Sequence, residues 1–328
     1  MRLIAILLFS SVFASAALGE TKKPQKDPPA PAGRATNKGE APKAVGNAKP
    51  KKAEARTKNK DESRNKGETG GGDAPTTAAA KAEARYRKGV LAFLKGKFTE
   101  AYRALAPLAE NGHTRAQFAL SRLYARGVGV EKKDEEKAAE WVEKAAKGGL
   151  AVAQYAYGDL LFRGTGVKQD KKEAAGWYQR AANQGHGEAR FKLAAIYYAG
   201  EGVPKDQRRG LKLYRAAAED GHPVAMTTMG VMYFNGSVVK KSERQARDWW
   251  LKAAYAGEVN AMVFVARIYH RSTQLPRDYT NAYVWYTMAS ERGDISARKE
   301  RRALDRVMRS VEVRNAKARL ERIRKLVR

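Results

Sequence analysis

From Gly112 onward the apolar residues fall into short blocks at helical spacing, separated by glycine-containing loops. After Gly149, the residues Ala153, Tyr157, Leu160 and Leu161 occupy one face of a helix. Gly164, Gly166 and Asp170 follow, and then Ala174, Trp177 and Ala181 mark a second helical face. The pattern predicts two amphipathic helices of roughly a dozen residues each, joined by a glycine loop. It recurs in a fixed register. Marker glycines stand at 112, 149, 185, 221, 257 and 293, separated by 37, 36, 36, 36 and 36 residues. Four residues after each comes an alanine: Ala116, Ala153, Ala189, Ala225, Ala261 and Ala297. A fixed period of this size is the signature of a solenoid, in which each unit buries its apolar face against its neighbours.

Each position in the period has a predicted task. The loops read Arg-Gly-Val-Gly-Val at 126–130, Arg-Gly-Thr-Gly-Val at 163–167 and Ala-Gly-Glu-Gly-Val at 199–203. Their glycines are expected to end the first helix in a left-handed conformation. Asp134, Asp170, Asp206, Ser242 and Asp278 then stand where a helix N-cap is expected. A second alanine series, Ala145, Ala181, Ala217, Ala253 and Ala289, lets the helices approach closely. Trp141, Trp177, Trp249 and Trp285 fill wider gaps, and Leu213 takes that position in unit three. Unit four departs from the pattern at Val238, and unit five has Ser272-Thr273-Gln274 in place of the glycine loop.

The alanine and tryptophan positions, with Gly-x-Gly-Val and the capping aspartate between them, resemble the Sel-1-like repeat, a relative of the tetratricopeptide repeat. The resemblance covers residues 112–293 in five units. Residues 85–111, with Gly89, Phe93, Gly96, Phe98, Ala101, Leu105 and Pro107, resemble the degenerate first hairpin that often opens such arrays. The implied fold is an all-α, right-handed α-solenoid superhelix of stacked helical hairpins, and the implied role is that of a scaffold or regulator. After Gly293 the repeat breaks. Leu304, Val307, Met308 and Val311 form one helical stripe and Ala316, Leu320, Ile323 and Val327 another, with Ser310 as an N-cap between them. Residues 294–328 are thus expected to be basic capping helices, with contact to an anionic membrane as the competing reading.

The N-terminal quarter is of a different kind. Residues 1–19 read as a cleavable signal peptide: Arg2, an apolar run from Leu3 to Phe9, and small-residue cleavage sites at Ala14-Ser15-Ala16 and Ala17-Leu18-Gly19. An uncleaved inner-membrane anchor facing the periplasm is the alternative. Residues 20–84 hold seven of the eleven prolines and 15 Lys/Arg against 9 Asp/Glu, and lack Phe, Tyr, Trp, Ile and Leu. That composition predicts a disordered basic linker. The chain has no cysteine, so disulfides cannot hold it together and it cannot carry a lipoprotein anchor. Export and the absence of cysteine together point to a bacterial periplasm.

No catalytic constellation emerges. His113, His186 and His222 follow repeat glycines at one phase and therefore do not converge, and no histidine pair has metalloprotease spacing. The Gly-x-Gly loops lack the Gly-Lys-Ser/Thr of a phosphate loop. The expectation is no enzyme, no metal and no cofactor.

In tetratricopeptide arrays the first helix of each hairpin lines the concave face. Carried over by helix phase, offsets 6, 10, 13 and 14 after each marker glycine face the groove. The resulting candidates are Phe118, Arg122, Arg126, Tyr155, Phe162, Arg163, Phe191, Tyr198, Phe234, Arg267 and Arg271. Aromatics with arginines are a mix enriched at protein recognition sites, although packing between neighbouring repeats would also explain the rings. A net charge of +29 favours anionic partners. The expected function is a monomeric, non-enzymatic adaptor that binds a protein partner in the groove. The alternative is an envelope protein that binds anionic polymer or lipid through its basic segments. Export argues against nucleic acid.

Overall fold

A computed structural model describes residues 77–327. The expected signal peptide at 1–19 and the linker up to residue 76 lie outside the described residues. The described chain is built from α-helices alone. The first hairpin is α1 (Thr77–Leu94) and α2 (Phe98–Glu110). The repeats follow as α3 (Thr114–Arg126) with α4 (Glu135–Lys147), α5 (Ala151–Arg163) with α6 (Lys171–Asn183), and α7 (Gly187–Ala199) with α8 (Gln207–Glu219). Two further pairs are α9 (Pro223–Asn235) with α10 (Glu243–Tyr255) and α11 (Val259–Arg271) with α12 (Tyr279–Glu291). The chain closes with α13 (Ile295–Asp305) and α14 (Ser310–Arg324). From α1 to α13 each helix packs on the next in sequence, and α14 folds back onto α12. This is an all-α solenoid.

Helix α1 begins at Thr77, so residues 77–84 belong to the first hairpin and not to the linker. The run Thr-Ala-Ala-Ala-Lys-Ala-Glu-Ala is rich in the strongest helix former, which accounts for the earlier start. Both alanine series are 0% exposed throughout. A larger side chain there would hold the helices apart, so these positions set the stacking distance. The tryptophans divide. Trp177 and Trp285 are buried, whereas Trp141 and Trp249 are half-buried beneath Lys144 and Lys252.

The five expected N-caps all form. Side chains of Asp134, Asp170, Asp206, Ser242 and Asp278 accept from the amide three residues on, at 2.8, 2.8, 2.8, 3.2 and 2.9 Å. The first loop glycines, Gly127, Gly164, Gly200 and Gly236, end their helices with φ of 65–80°. The second loop glycines do something else. A Cβ on Gly129, Gly166 or Gly202 would collide with Phe98, Glu135 or Lys171, the first residue of the preceding unit's second helix. Each such glycine lets its loop lie on the backbone of the unit before it.

The two atypical loops solve the same problem differently. Val238 keeps the left-handed conformation at φ 65° despite its branched side chain. Val238→Gly should relieve that strain for a net gain of about 0.5–1 kcal/mol. The expected readout is a melting temperature higher by about 1–3 °C; a fall would contradict the strain. In unit five, Ser272 replaces the glycine. Its hydroxyl donates to buried Glu243 at 2.5 Å and accepts from the amides of Gln274 and Leu275.

At the C-terminus, Leu304, Met308, Ala316, Leu320 and Ile323 are buried as the two stripes require. Val307 and Val311 are 63% and 49% exposed, contrary to expectation. Helix α13 stops at Asp305, so the turn that follows carries both valines off the helical phase. Arg309, not Ser310, is the N-cap of α14, and its backbone N–H donates to Glu312. Among the described residues no helix is long and apolar enough to cross a membrane.

Candidate partner-binding face

In units two to four the first helix packs candidate rings against a ring of the second helix; among the described residues Phe118 and Phe162 make no such ring contact. Tyr155 packs against Tyr178 at 5.8 Å between ring centroids, Phe191 against Tyr214 at 5.4 Å, Tyr198 against Tyr214 at 6.2 Å, and Phe234 against Trp250 at 5.6 Å. His270, at the same phase as Tyr198 and Phe234, meets Tyr286 at 6.1 Å. Tyr178, Tyr214, Trp250 and Tyr286 are buried and form the backing layer. None of these four was among the expected site residues. Their signal was in the sequence, because each immediately follows the filler position and they recur every 36 residues.

Offset 6 has a second partner. Tyr155 and Phe191 stack on His186 and His222, the first-helix N-caps of the following units, at 4.8 and 5.0 Å. Tyr86 of α1 stacks on His113 in the same way at 5.1 Å. These rings are therefore half-buried between repeats. Phe118, Phe162 and Tyr198 are also half-buried, and Phe234 is 38% exposed. Phe162 lies beneath Lys171, and Phe234 beneath Lys241.

The candidate arginines are all exposed but differ in company. Arg163 pairs with Asp159 at 3.0 Å and Arg271 with Glu300 at 2.7 Å. Arg122 and Arg126 lie over Phe93 of α1. Arg267 lies near enough to Tyr286 to affect its ionisation. The arginines do not converge on one point; Arg122 and Arg126 belong to the first repeat, and Arg267 and Arg271 to the fifth.

The electrostatics favour recognition over proton transfer. Burial pushes the Tyr155, Tyr178 and Tyr214 hydroxyls far above the usual phenol range, and Tyr286 up to about 12. These rings are neutral near pH 7. Among the described residues no cluster of three or more His, Asp or Glu side chains is arranged to hold a metal ion.

Three histidines have a structural role. The Nδ1 atoms of His113, His186 and His222 each accept from an amide N–H at 3.2 Å, which only an unprotonated ring nitrogen can do. Burial lowers the pKa of His186, against the opposing pull of Glu188. The unfolded chain, with an ordinary value of about 6.5, therefore takes up the proton first. The stability from this neutral cap is present above about pH 6.5 and is lost as pH falls from there towards the folded value. Melting temperature should be lower at about pH 5 than at pH 7.5, and His186→Asn, which caps without titrating, should narrow that difference. An unchanged difference would contradict the assignment.

The Sel1 repeat pattern matches residues 114–150, 151–186, 187–222, 223–258 and 259–294, which together exceed half the chain. The chain belongs to the Sel1 repeat family. It is similar to a Sel1 repeat protein from Oxalobacter formigenes, with 32% identity over 66% of this chain and 86% of that one, and a TM-score of 0.59. It is also similar to c5321, a protective antigen present in uropathogenic Escherichia coli strains displaying an SLR fold. There the identity is 27% over 74% of this chain, at a TM-score of 0.61, and the match spans 55% of that longer protein. No match was found among curated proteins. Sel1 repeats generally mediate protein–protein interaction, and proteins built from them are typically non-catalytic interaction scaffolds.

Proposed function

We propose that this Sel1 repeat protein is a regulatory adaptor of the bacterial cell envelope, and that it binds a segment of a protein partner along its first helices. The observation that carries this reading is the ring column. Phe162, Tyr198 and Phe234 recur at one phase of three consecutive units and keep part of their surface exposed, although Tyr214 and Trp250, which back Tyr198 and Phe234, are buried. Packing alone would favour burying the outer rings too. Half-exposed aromatics backed by rigid neighbours are good anchors, because little side-chain entropy remains to be lost on binding. The signal-peptide pattern at residues 1–19 supports the envelope location.

Photo-crosslinking in cells tests the reading. A photoreactive phenylalanine analogue at Phe234 or Phe162 should give a discrete protein adduct. The same analogue at Lys144 or Arg180, exposed on the second helices, should give none. Adducts of equal yield from both sets, or from neither, would overturn it. The α12–α14 cleft is lined by Arg314 and Lys317, with Arg324 paired to Glu291 and Glu321, and its two remaining cations favour a second reading in which anionic envelope polymer or lipid binds at the C-terminal end. Strong salt sensitivity separates this reading from the first.

A further inference from the structure

The start of the repeat array holds a pair of cations that the fold does not neutralise. Arg122 and Arg126 sit one turn apart on α3, and both guanidinium groups lie over the same ring, Phe93 of α1, at 5.4 and 5.5 Å from its centroid. Among the described residues neither makes an ion pair or a hydrogen bond to a carboxylate. Arg267 is likewise without an ion pair among the described residues, but other arginines of this face have partners. Arg115, over the neighbouring ring of Tyr86, is paired with Glu83 at 2.5 Å, and Arg163 and Arg271 have Asp159 and Glu300. Like charges one turn apart on a helix repel each other. Partial burial and the adjacent Arg126 both lower the pKa of Arg122, as expected for a guanidinium in uncompensated positive potential. Phe93 holds the pair in place through the attraction of a cation to a ring face. A guanidinium held this way keeps its N–H edge available for a planar, bidentate acceptor.

We propose that Arg122 and Arg126, backed by Phe93, form a receptor for an acidic side chain of the peptide segment that occupies the first-helix face. The proposal rests on the reading of that face as protein-binding and names the chemistry at one end of it. Two features favour an acidic peptide over an extended polyanion. The unpaired positive charge on α3 is only two residues wide: Arg115, two turns earlier, is neutralised by Glu83, and Phe118 and Ala125 occupy neighbouring groove phases. A polyanion would need a continuing row of charge, whereas a peptide needs one charged anchor beside apolar contacts.

The test uses the full chain and a fluorescein-labelled peptide of alternating leucine and serine with one central glutamate, followed by fluorescence anisotropy. Arg122→Gln with Arg126→Gln should weaken binding about tenfold or more. Arg122→Lys with Arg126→Lys keeps the charge but loses the planar fork, and should weaken binding about threefold or more. Arg302→Gln with Arg322→Gln removes the same charge from exposed positions on α13 and α14 and should change binding by less than about twofold. Equal losses in the two glutamine pairs would assign the binding to diffuse charge and overturn the proposal. So would lysine variants that bind like the unaltered protein. Phosphatidylglycerol vesicles that engage the Arg122–Arg126 pair more strongly than the peptide would assign it to lipid, with the same consequence. Thermal melts of all variants should coincide, and a fall in melting temperature that accounts for the lost binding would overturn the proposal. The crosslinking at Phe234 fails separately. Adducts there without any effect of the arginine pair would remove the receptor alone, and pair-dependent peptide binding without adducts would remove the protein-binding reading alone.

Discussion

Gly166→Ala should lower the melting temperature by about 5–10 °C, although it adds a single methyl group in a surface loop. Two costs combine. The residue has φ +67°, where a Cβ is strained by roughly 1–2 kcal/mol. The new methyl would also overlap the carbonyl oxygen of Glu135 at the start of α4, and backbone on backbone has no flexible side chain to yield. The loop must lift from the preceding unit, for a total of about 2–4 kcal/mol. Gly176→Ala is the control. It lies within α6 with open space around its Cβ position, and alanine there should stabilise by up to about 1 kcal/mol. Opposite shifts in thermal melts would support the assignment of the second loop glycine to stacking between units. A small or positive shift for Gly166→Ala would contradict it.

Trp250→Ala should cost about 3–5 kcal/mol, in the range of large-to-small core replacements. The indole is buried between Phe234 and Phe264, at 5.6 and 4.9 Å, and its N–H donates to the carbonyl of Thr227 at 3.0 Å. It also lies against Gly230, where a Cβ would overlap the indole ring. Removal leaves a cavity and takes a hydrogen bond from that carbonyl. The damage should be local, because each unit of a solenoid touches only its neighbours. Amide hydrogen exchange should rise in α9, α10 and α11 and stay near its original level in α3 and α4. Uniform loss of protection along the chain would show cooperativity longer than nearest-neighbour packing allows.

The period made much of this legible from sequence. Ala116 and Ala145 each announce a series, and every member of both series proved to be fully buried. Asp134 and its counterparts were readable as caps because a capping side chain acts on an amide three residues away, a local relation that spacing preserves. What spacing could not carry was contact between distant residues. His113, His186 and His222 were readable as recurring packing or turn features of the period, but their partners were not. They act as caps and as stacking partners for rings 27 to 31 residues earlier in the chain. The site suffered most from this. Tyr155 and Phe191 were expected on an open face, yet each is half-covered by the next unit's histidine, and the backing rings Tyr178, Tyr214, Trp250 and Tyr286 went unnoticed beside the more conspicuous tryptophans. The exposed valines at 307 and 311 have another cause: a helix stripe holds its phase only while the helix continues, and α13 ends first.

Half-exposed rings on the first helices, and not general positive charge, are proposed to hold the protein partner. The direct measurement is calorimetric titration of the crosslinked partner, purified, into the unaltered chain and into Phe162→Ala with Tyr198→Ala, at low and at moderate salt. The account predicts a loss of about tenfold or more in affinity at both salt concentrations, since apolar anchors are little screened. If the double variant melts at a lower temperature but binds the partner as the unaltered chain does, the rings serve packing alone and the claim is wrong.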